Sequence, residues 1–196
     1  MNDIIVLQQI PRVFDALYNK DILSTIGLEE LRDAFRPSQI KSKIWLLDNL
    51  RPHLNNSNKI CVLGSWFGFI ASCLYDIGLS GITDIDCDAR CQLLSQTLNS
   101  RNKSYVRVSD DACKFDLHEF DVIVNTSAEH MNNDWFYNVK SGSLVAIQTN
   151  DIVISQHINS VNSLSEAVDQ YPMQLLFHDQ LQFKSYRRFM LIGIKT

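Results

Sequence analysis

No apolar run in this chain approaches the length of a membrane span. The opening Met1-Asn-Asp-Ile-Ile-Val has no basic leader before Pro11 and Arg12, so neither a signal peptide nor a membrane partner is expected. Internal repeats and low-complexity tracts are absent as well. The formal net charge of −4 lacks the basic excess of a general nucleic-acid binder. Lys184, Arg187, Arg188 and Lys195 form a basic cluster near the C-terminus, read as solvated strand edges and turns. Cys-x-x-Cys and paired-histidine spacings are missing, so no metal ligand is assigned, although Cys87 and Cys91 lie near Asp84, Asp86 and Asp88. The five cysteines, odd in number and mostly inside apolar patterns, read as reduced thiols of a cytosolic protein.

What is present is enough apolar sequence for one α/β domain in 196 residues. The first fifty residues read as helical. Ile40, Ile44, Leu47 and Leu50 recur at helical spacing, with Ser38 after Pro37 as N-cap and Pro52 as terminator. Asn55-Asn-Ser-Asn58 is a turn cluster. From Lys59 onward short apolar strands are predicted at 60–63, 82–86, 105–109, 121–125 and 143–148. Helices are predicted between them near 67–78, 89–99 and 132–139. Such alternation implies a parallel sheet covered on both faces. Gln174–His178 and Arg188–Ile194 are strand-like runs too close in sequence for a crossover helix, so they must pair antiparallel.

Lys59-Ile-Cys-Val-Leu-Gly-Ser-Trp-Phe-Gly68 is the most informative stretch, together with Ile82-Thr-Asp-Ile-Asp86 one βαβ unit later. A strand ends in a glycine loop, a helix follows, and the next strand ends in carboxylates. Glycines let the backbone approach a nucleoside cofactor, and a carboxylate past the second strand takes the ribose hydroxyls. Gly64-Ser-Trp-Phe-Gly68 departs from Gly-x-Gly-x-x-Gly, which disfavours a nicotinamide site.

With this loop, five β–α steps and a terminal hairpin, residues 38–196 resemble class I S-adenosylmethionine-dependent methyltransferases. Residues 1–37 would be a helical extension. The resemblance implies a Rossmann-like α/β fold: a mostly parallel seven-stranded sheet with a C-terminal antiparallel hairpin and helices on both faces. It implies S-adenosylmethionine as cofactor, with Leu63, Gly64, Ser65, Trp66 and Gly68 around its methionine end. Asp86 would take the ribose, and Ser109-Asp-Asp-Ala112 would flank the adenine through Asp111 and Ala112. Phe120–His130 is similar to the family's strand-four segment, which makes Asn125 a cofactor and acceptor contact. The chain is also similar to small methyltransferase-like proteins of bacteriophages, which would place it in a host cytoplasm.

Asn125, Thr126, Ser127, Glu129 and His130 crowd the end of the fourth strand, where open α/β sheets bind ligands. His130, Glu129 and Asn125 are therefore the candidate catalytic residues, with His130 as the natural base. Asn-Thr-Ser replaces the Asn-Pro-Pro-Tyr of enzymes that methylate DNA amino groups, which counts against that chemistry. Gln148-Thr-Asn-Asp151 would share the same rim, and the segment with His157 and Asn159 would form part of a lid. Lys43 reads as solvated, and Trp45 as packing a helix onto the sheet. Nothing identifies the acceptor or the oligomeric state. Aminopropyl or aminocarboxypropyl transfer remains open, as does a non-catalytic partner module whose pocket Trp66 and Phe67 fill.

Overall fold

The computed structural model describes residues 2–196. Four helices come first: α1 (Asn2–Ala16), α2 (Lys20–Thr25), α3 (Leu28–Ala34) and α4 (Pro37–Leu50). Asn19 caps α2 by accepting the Asp21 amide, and Glu30 reaches back to the Gly27 amide ahead of α3. Pro37 occupies the first turn of α4, so the N-cap falls on the extended Arg36 rather than on Ser38. Ser38 lies inside the helix, and its carbonyl accepts from the Ser42 hydroxyl.

The sheet follows, with β1 (Ile60–Leu63), α5 (Phe69–Asp76), β2 (Ile82–Ile85), α6 (Gln92–Leu98), β3 (Val106–Val108) and β4 (Val122–Asn125). Then come α7 (Asp134–Tyr137), β5 (Leu144–Asn150), α8 (Leu164–Gln170), β6 (Met173–Gln182) and β7 (Arg187–Lys195). The strands form one seven-stranded sheet in the order β3-β2-β1-β4-β5-β7-β6, parallel except where β7 runs against β5 and β6. This is the expected Rossmann-like architecture. Two details differ: the helix expected over 132–139 shrinks to α7, and α8 was not anticipated.

Alternation along the strands divides the core. Ile60 and Val62 face α4 and α5 with Leu46, Leu47, Leu50 and Leu74, whereas Cys61 and Leu63 face Trp135, Phe136 and Tyr171. A third cluster joins α1–α3 to α6 through Val13, Ile22, Ile26, Leu31, Leu94 and Leu98. Polar contacts clamp α1 as well: Gln9 and Arg12 both donate to Asp76 at the end of α5. Burial alone would raise the Asp76 carboxyl, but the bonds from Arg12, Gln9 and Arg101 outweigh it and hold its pKa below the usual range. Trp45 packs edge-on against Phe177 of β6, tying α4 to the sheet. No helix among the described residues is long and apolar enough to cross a membrane.

Candidate cofactor and acceptor site

The strand order reverses at β1, whose neighbours are β2 on one side and β4 on the other. Loops leaving β1 and β4 therefore diverge and open a crevice at the carboxyl edge of the sheet. Gly64 makes the close approach possible. Its φ is +57°, and a Cβ there would lie 2.9 Å from the Ser127 Cβ, whose hydroxyl donates to the Gly64 carbonyl at 3.1 Å. Gly68 opens α5 at φ +69°, and a side chain there would collide with Ser95, Asn99 and Asp84. Between them Trp66 also holds a positive φ of 51°. Its amide donates to Asp86 Oδ2 at 2.7 Å, and the Asp88 amide donates to Oδ1 at 2.9 Å. Asp86 is thus fixed in orientation, and each carboxylate oxygen keeps a lone pair for another donor.

A groove of about 840 Å³ runs along this edge, within the size range of small-molecule sites. Its lining includes Gly64, Trp66, Asp86, Asp111 and Ala112 together with Ser127, Glu129, His130, Asn150 and His157. Arg36, Ser38 and Gln39 of the N-terminal region form another wall. Phe67 does not fill the groove: it stacks on Trp66 at 4.6 Å and turns into the helical cluster with α1–α3 and α6. A smaller cavity of about 110 Å³ adjoins it beside Gly64, Ser65, Lys43 and Arg188.

Lys43 is not solvated. Burial first, and then the nearby charge of Arg188, push its ammonium down to about 8. Arg188, read from sequence as surface charge, is only 3 % exposed and lines both cavities. Arg187 instead pairs with Asp151 at 2.8 Å. Arg188 is the functional candidate that sequence reasoning missed, and Lys43 the one it set aside as solvated. The continuous apolar run of β7 was the available signal, since Arg188 precedes four apolar residues of a strand buried on both faces.

Beneath the glycine loop lies a buried polar network. Tyr105 donates to Asp84 at 2.8 Å and shares a hydrogen bond with Ser95, while Arg107 bonds the Ser65 hydroxyl. Burial pushes the Asp84 carboxyl up to about 7, against the pull of Tyr105 and the charge of Arg107. Asp84 thus supports the loop from below, whereas Asp86 faces the groove.

Along the same groove, the turn Ala128–His130 carries Glu129, which is 3 % exposed. Asn150 donates to Glu129 Oε1, whereas Oε2 is buried without a hydrogen-bond partner. His130 Nδ1 meets the Gln156 carbonyl at 3.1 Å, and His157 Nδ1 meets the Ile152 carbonyl at 3.0 Å. A carbonyl only accepts, so each ring donates from Nδ1, which in a neutral imidazole leaves the lone pair on Nε2.

The remaining sequence candidates fall differently. Leu63 is wholly buried in the sheet core, which leaves only its main chain near the crevice. Asn125 is buried too: its carbonyl accepts the Ser127 amide at 2.9 Å and its amide points at Met131 Sδ, so it shapes the loop rather than the groove wall. Asp111 accepts the Cys113 amide and pairs with Lys114 at 3.2 Å, which together hold its carboxyl low. Gln148 donates to the Ser42 carbonyl and anchors α4 instead of reaching the rim. All five cysteines are free thiols, Cys61, Cys73 and Cys91 buried.

No protein-family model and no curated protein sequence matches the chain. Solved structures do. One is N-methyltransferase NodS from Bradyrhizobium japonicum WM9 in complex with S-adenosylhomocysteine. The match has a TM-score of 0.68 at 13 % identity and covers 86 % of this chain and 94 % of that one. Geranyl diphosphate C-methyltransferase from Streptomyces coelicolor, bound to Mg2+, geranyl diphosphate and S-adenosylhomocysteine, matches at TM-score 0.64 and 9 % identity, covering 81 % and 79 %. Magnesium protoporphyrin IX methyltransferase from Synechocystis, also with S-adenosylhomocysteine, matches at 0.62 and 7 %, covering 87 % and 88 %. The chain has the class I methyltransferase fold.

Proposed function

We propose that this protein is an S-adenosylmethionine-dependent methyltransferase with a nitrogen or oxygen acceptor. The observation that carries the reading is one groove whose lining joins Asp86 and the Gly64 loop with Glu129 and His130. The residues fit the cofactor. The Gly64 loop lines the groove, Asp86 has lone pairs for a ribose diol, and Asp111 and Ala112 line the same groove and are assigned to the adenine. Lys43 and Arg188 offer positive charge to the amino-acid carboxylate.

Bound there, the cofactor would supply an electrophilic sulfonium methyl. The chain's own task is then to align the acceptor with that methyl and to exclude water, which is where most of the rate arises. His130, with its Nε2 lone pair free, and the buried Glu129 are positioned to take a proton from the acceptor. No covalent intermediate is needed, and none of the buried thiols has an activating partner: burial pushes Cys61 and Cys73 well above the ordinary thiol range.

Calorimetric titration with S-adenosylmethionine and S-adenosylhomocysteine tests the reading. Saturable binding is expected, weakened at least about tenfold in Asp86→Ala by the loss of charge-assisted hydrogen bonds. Absence of binding to the folded wild type would move the weight to a non-catalytic partner module. Product mass then separates methyl from aminopropyl or aminocarboxypropyl transfer.

A further inference from the structure

Glu129, His130 and His157 come from two different loops, yet one ligating atom from each lies within 4.8 Å of those of the other two. The two imidazole rings sit edge to face with centroids 4.5 Å apart. We infer that these three side chains form a site for one divalent transition-metal ion of borderline softness, such as Zn2+ or Co2+, in the groove.

Three features distinguish this trio from chance neighbours. Each histidine donates Nδ1–H to a main-chain carbonyl, His130 to Gln156 and His157 to Ile152. That is the outer-sphere arrangement which fixes the tautomer and turns the Nε2 lone pair outward for a metal. Glu129 is held the same way, its Oε1 taking a hydrogen bond from Asn150. Its Oε2 is buried and has no hydrogen-bond partner, an expensive state for a carboxylate oxygen and one that a cation relieves.

The scaffold behind the ligands is also fixed. The Asn159 amide donates to the Glu129 carbonyl at 3.1 Å, and the Asn159 side chain donates to the Met131 carbonyl at 3.1 Å. Ser160 donates to Ile152, the same carbonyl that orients His157. The loop carrying His157 is therefore stitched to the turn carrying Glu129 and His130. Ligand atoms around a tetrahedral ion with bonds near 2.1 Å stand roughly 3.4 Å apart, so rotamer adjustments of about an ångström complete the site.

Two imidazoles and one carboxylate suit Zn2+, Co2+ or Fe2+ better than Mg2+, which prefers oxygen ligands. Three protein ligands leave coordination positions open, as in catalytic rather than structural sites. All three residues line the groove, so an acceptor oxygen or nitrogen would enter there. This consequence for the acceptor rests on the methyltransferase reading; the metal site itself does not. An occupied site would make both His130 and Glu129 ligands; the ion's charge would then lower the acceptor's pKa, and its proton would pass to solvent.

The test uses the full chain, freed of metal with a chelator and titrated with Co2+ and then Zn2+ in the absence of cofactor. One equivalent of Co2+ should bind, with visible d–d absorption typical of nitrogen and oxygen ligands. Zn2+ should displace it and raise the melting temperature. His157→Ala and Glu129→Gln, each retaining the wild-type metal-free melt, should weaken binding by more than about 100-fold, since even outer-sphere changes cost 10–100-fold. Should either variant fail to fold, His157→Gln, which can still donate to Ile152, serves in its place. Cys87→Ser, which removes the one exposed thiol, should bind like wild type. No stoichiometric binding, or undiminished binding after loss of His157, would overturn the proposal. Because no cofactor is present, a failure here is distinct from a failure of the S-adenosylhomocysteine titration.

Discussion

Single residues set the electrostatics of the groove, and two of them make measurable predictions. Lys43, pushed down to about 8, is half charged near that pH when free. An amino-acid carboxylate arriving beside it would restore its full charge. Binding of S-adenosylhomocysteine at pH 8 should therefore take up as much as about half a proton. Calorimetry in buffers of different ionisation enthalpy reads this directly, and Lys43→Met should abolish the uptake. Asp84 behaves in the opposite sense to a salt-bridged carboxylate. Unfolded, it ionises near 3.8; folded, it keeps its proton to about 7. Between those values the native state holds one more proton, so this group's contribution to stability falls as pH rises and levels off above 7. Asp84→Asn retains an acceptor for Tyr105 and removes that loss. Relative to wild type, the variant should be more stable in urea at pH 7.5 than at pH 4.

Elements show why some of the site was readable in one dimension. The β1 loop and the end of β2 belong to one βαβ unit, so Gly64, Gly68 and Asp86 announced themselves by spacing alone. Gly64→Ala would face both a positive φ and the Ser127 side chain. A stability loss of about 1–3 kcal/mol by denaturant midpoint, with loss of cofactor binding, is expected. Missing α8 was avoidable. Ser163-Leu-Ser-Glu166 is a capping-box spacing, and in the fold the Glu166 amide bonds the Ser163 hydroxyl. The ragged pattern of β6 has a different cause. A register shift between Leu175 and Phe177 puts Leu175 on the α8 side and Phe177 against Trp45, leaving Leu176 exposed. At the bulge Leu175 and Phe177, both half-buried and two apart in sequence, pack on opposite faces of the sheet, which a period-two reading cannot anticipate.

On the scale of the whole molecule, the groove has walls from the loops after the five parallel strands, from the N-terminal helices and from β7. A ligand there binds only the assembled protein, because no wall segment carries the site alone. S-adenosylhomocysteine at a hundred times its dissociation constant should stabilise the fold by about 2.7 kcal/mol. For a chain of this size that is roughly 5–11 °C in melting temperature, readable by calorimetry.

Fold class was determined by the sequence itself, because strand and helix periods are local properties of hydrophobic spacing, and the glycine loop and Asp86 that line the groove were legible there too. Asn125, by contrast, was placed at the right strand end with the wrong orientation, since a side chain's direction depends on what the neighbouring turn offers it. Tertiary structure alone decided that Arg188 is buried and Lys43 half-buried beside the glycine loop, because burial there comes from packing α4 and β7 on one edge. Tertiary structure alone also brought His157 to His130 and Glu129. Those residues are joined by no periodic pattern, only by a long loop folded back and fixed through Asn159.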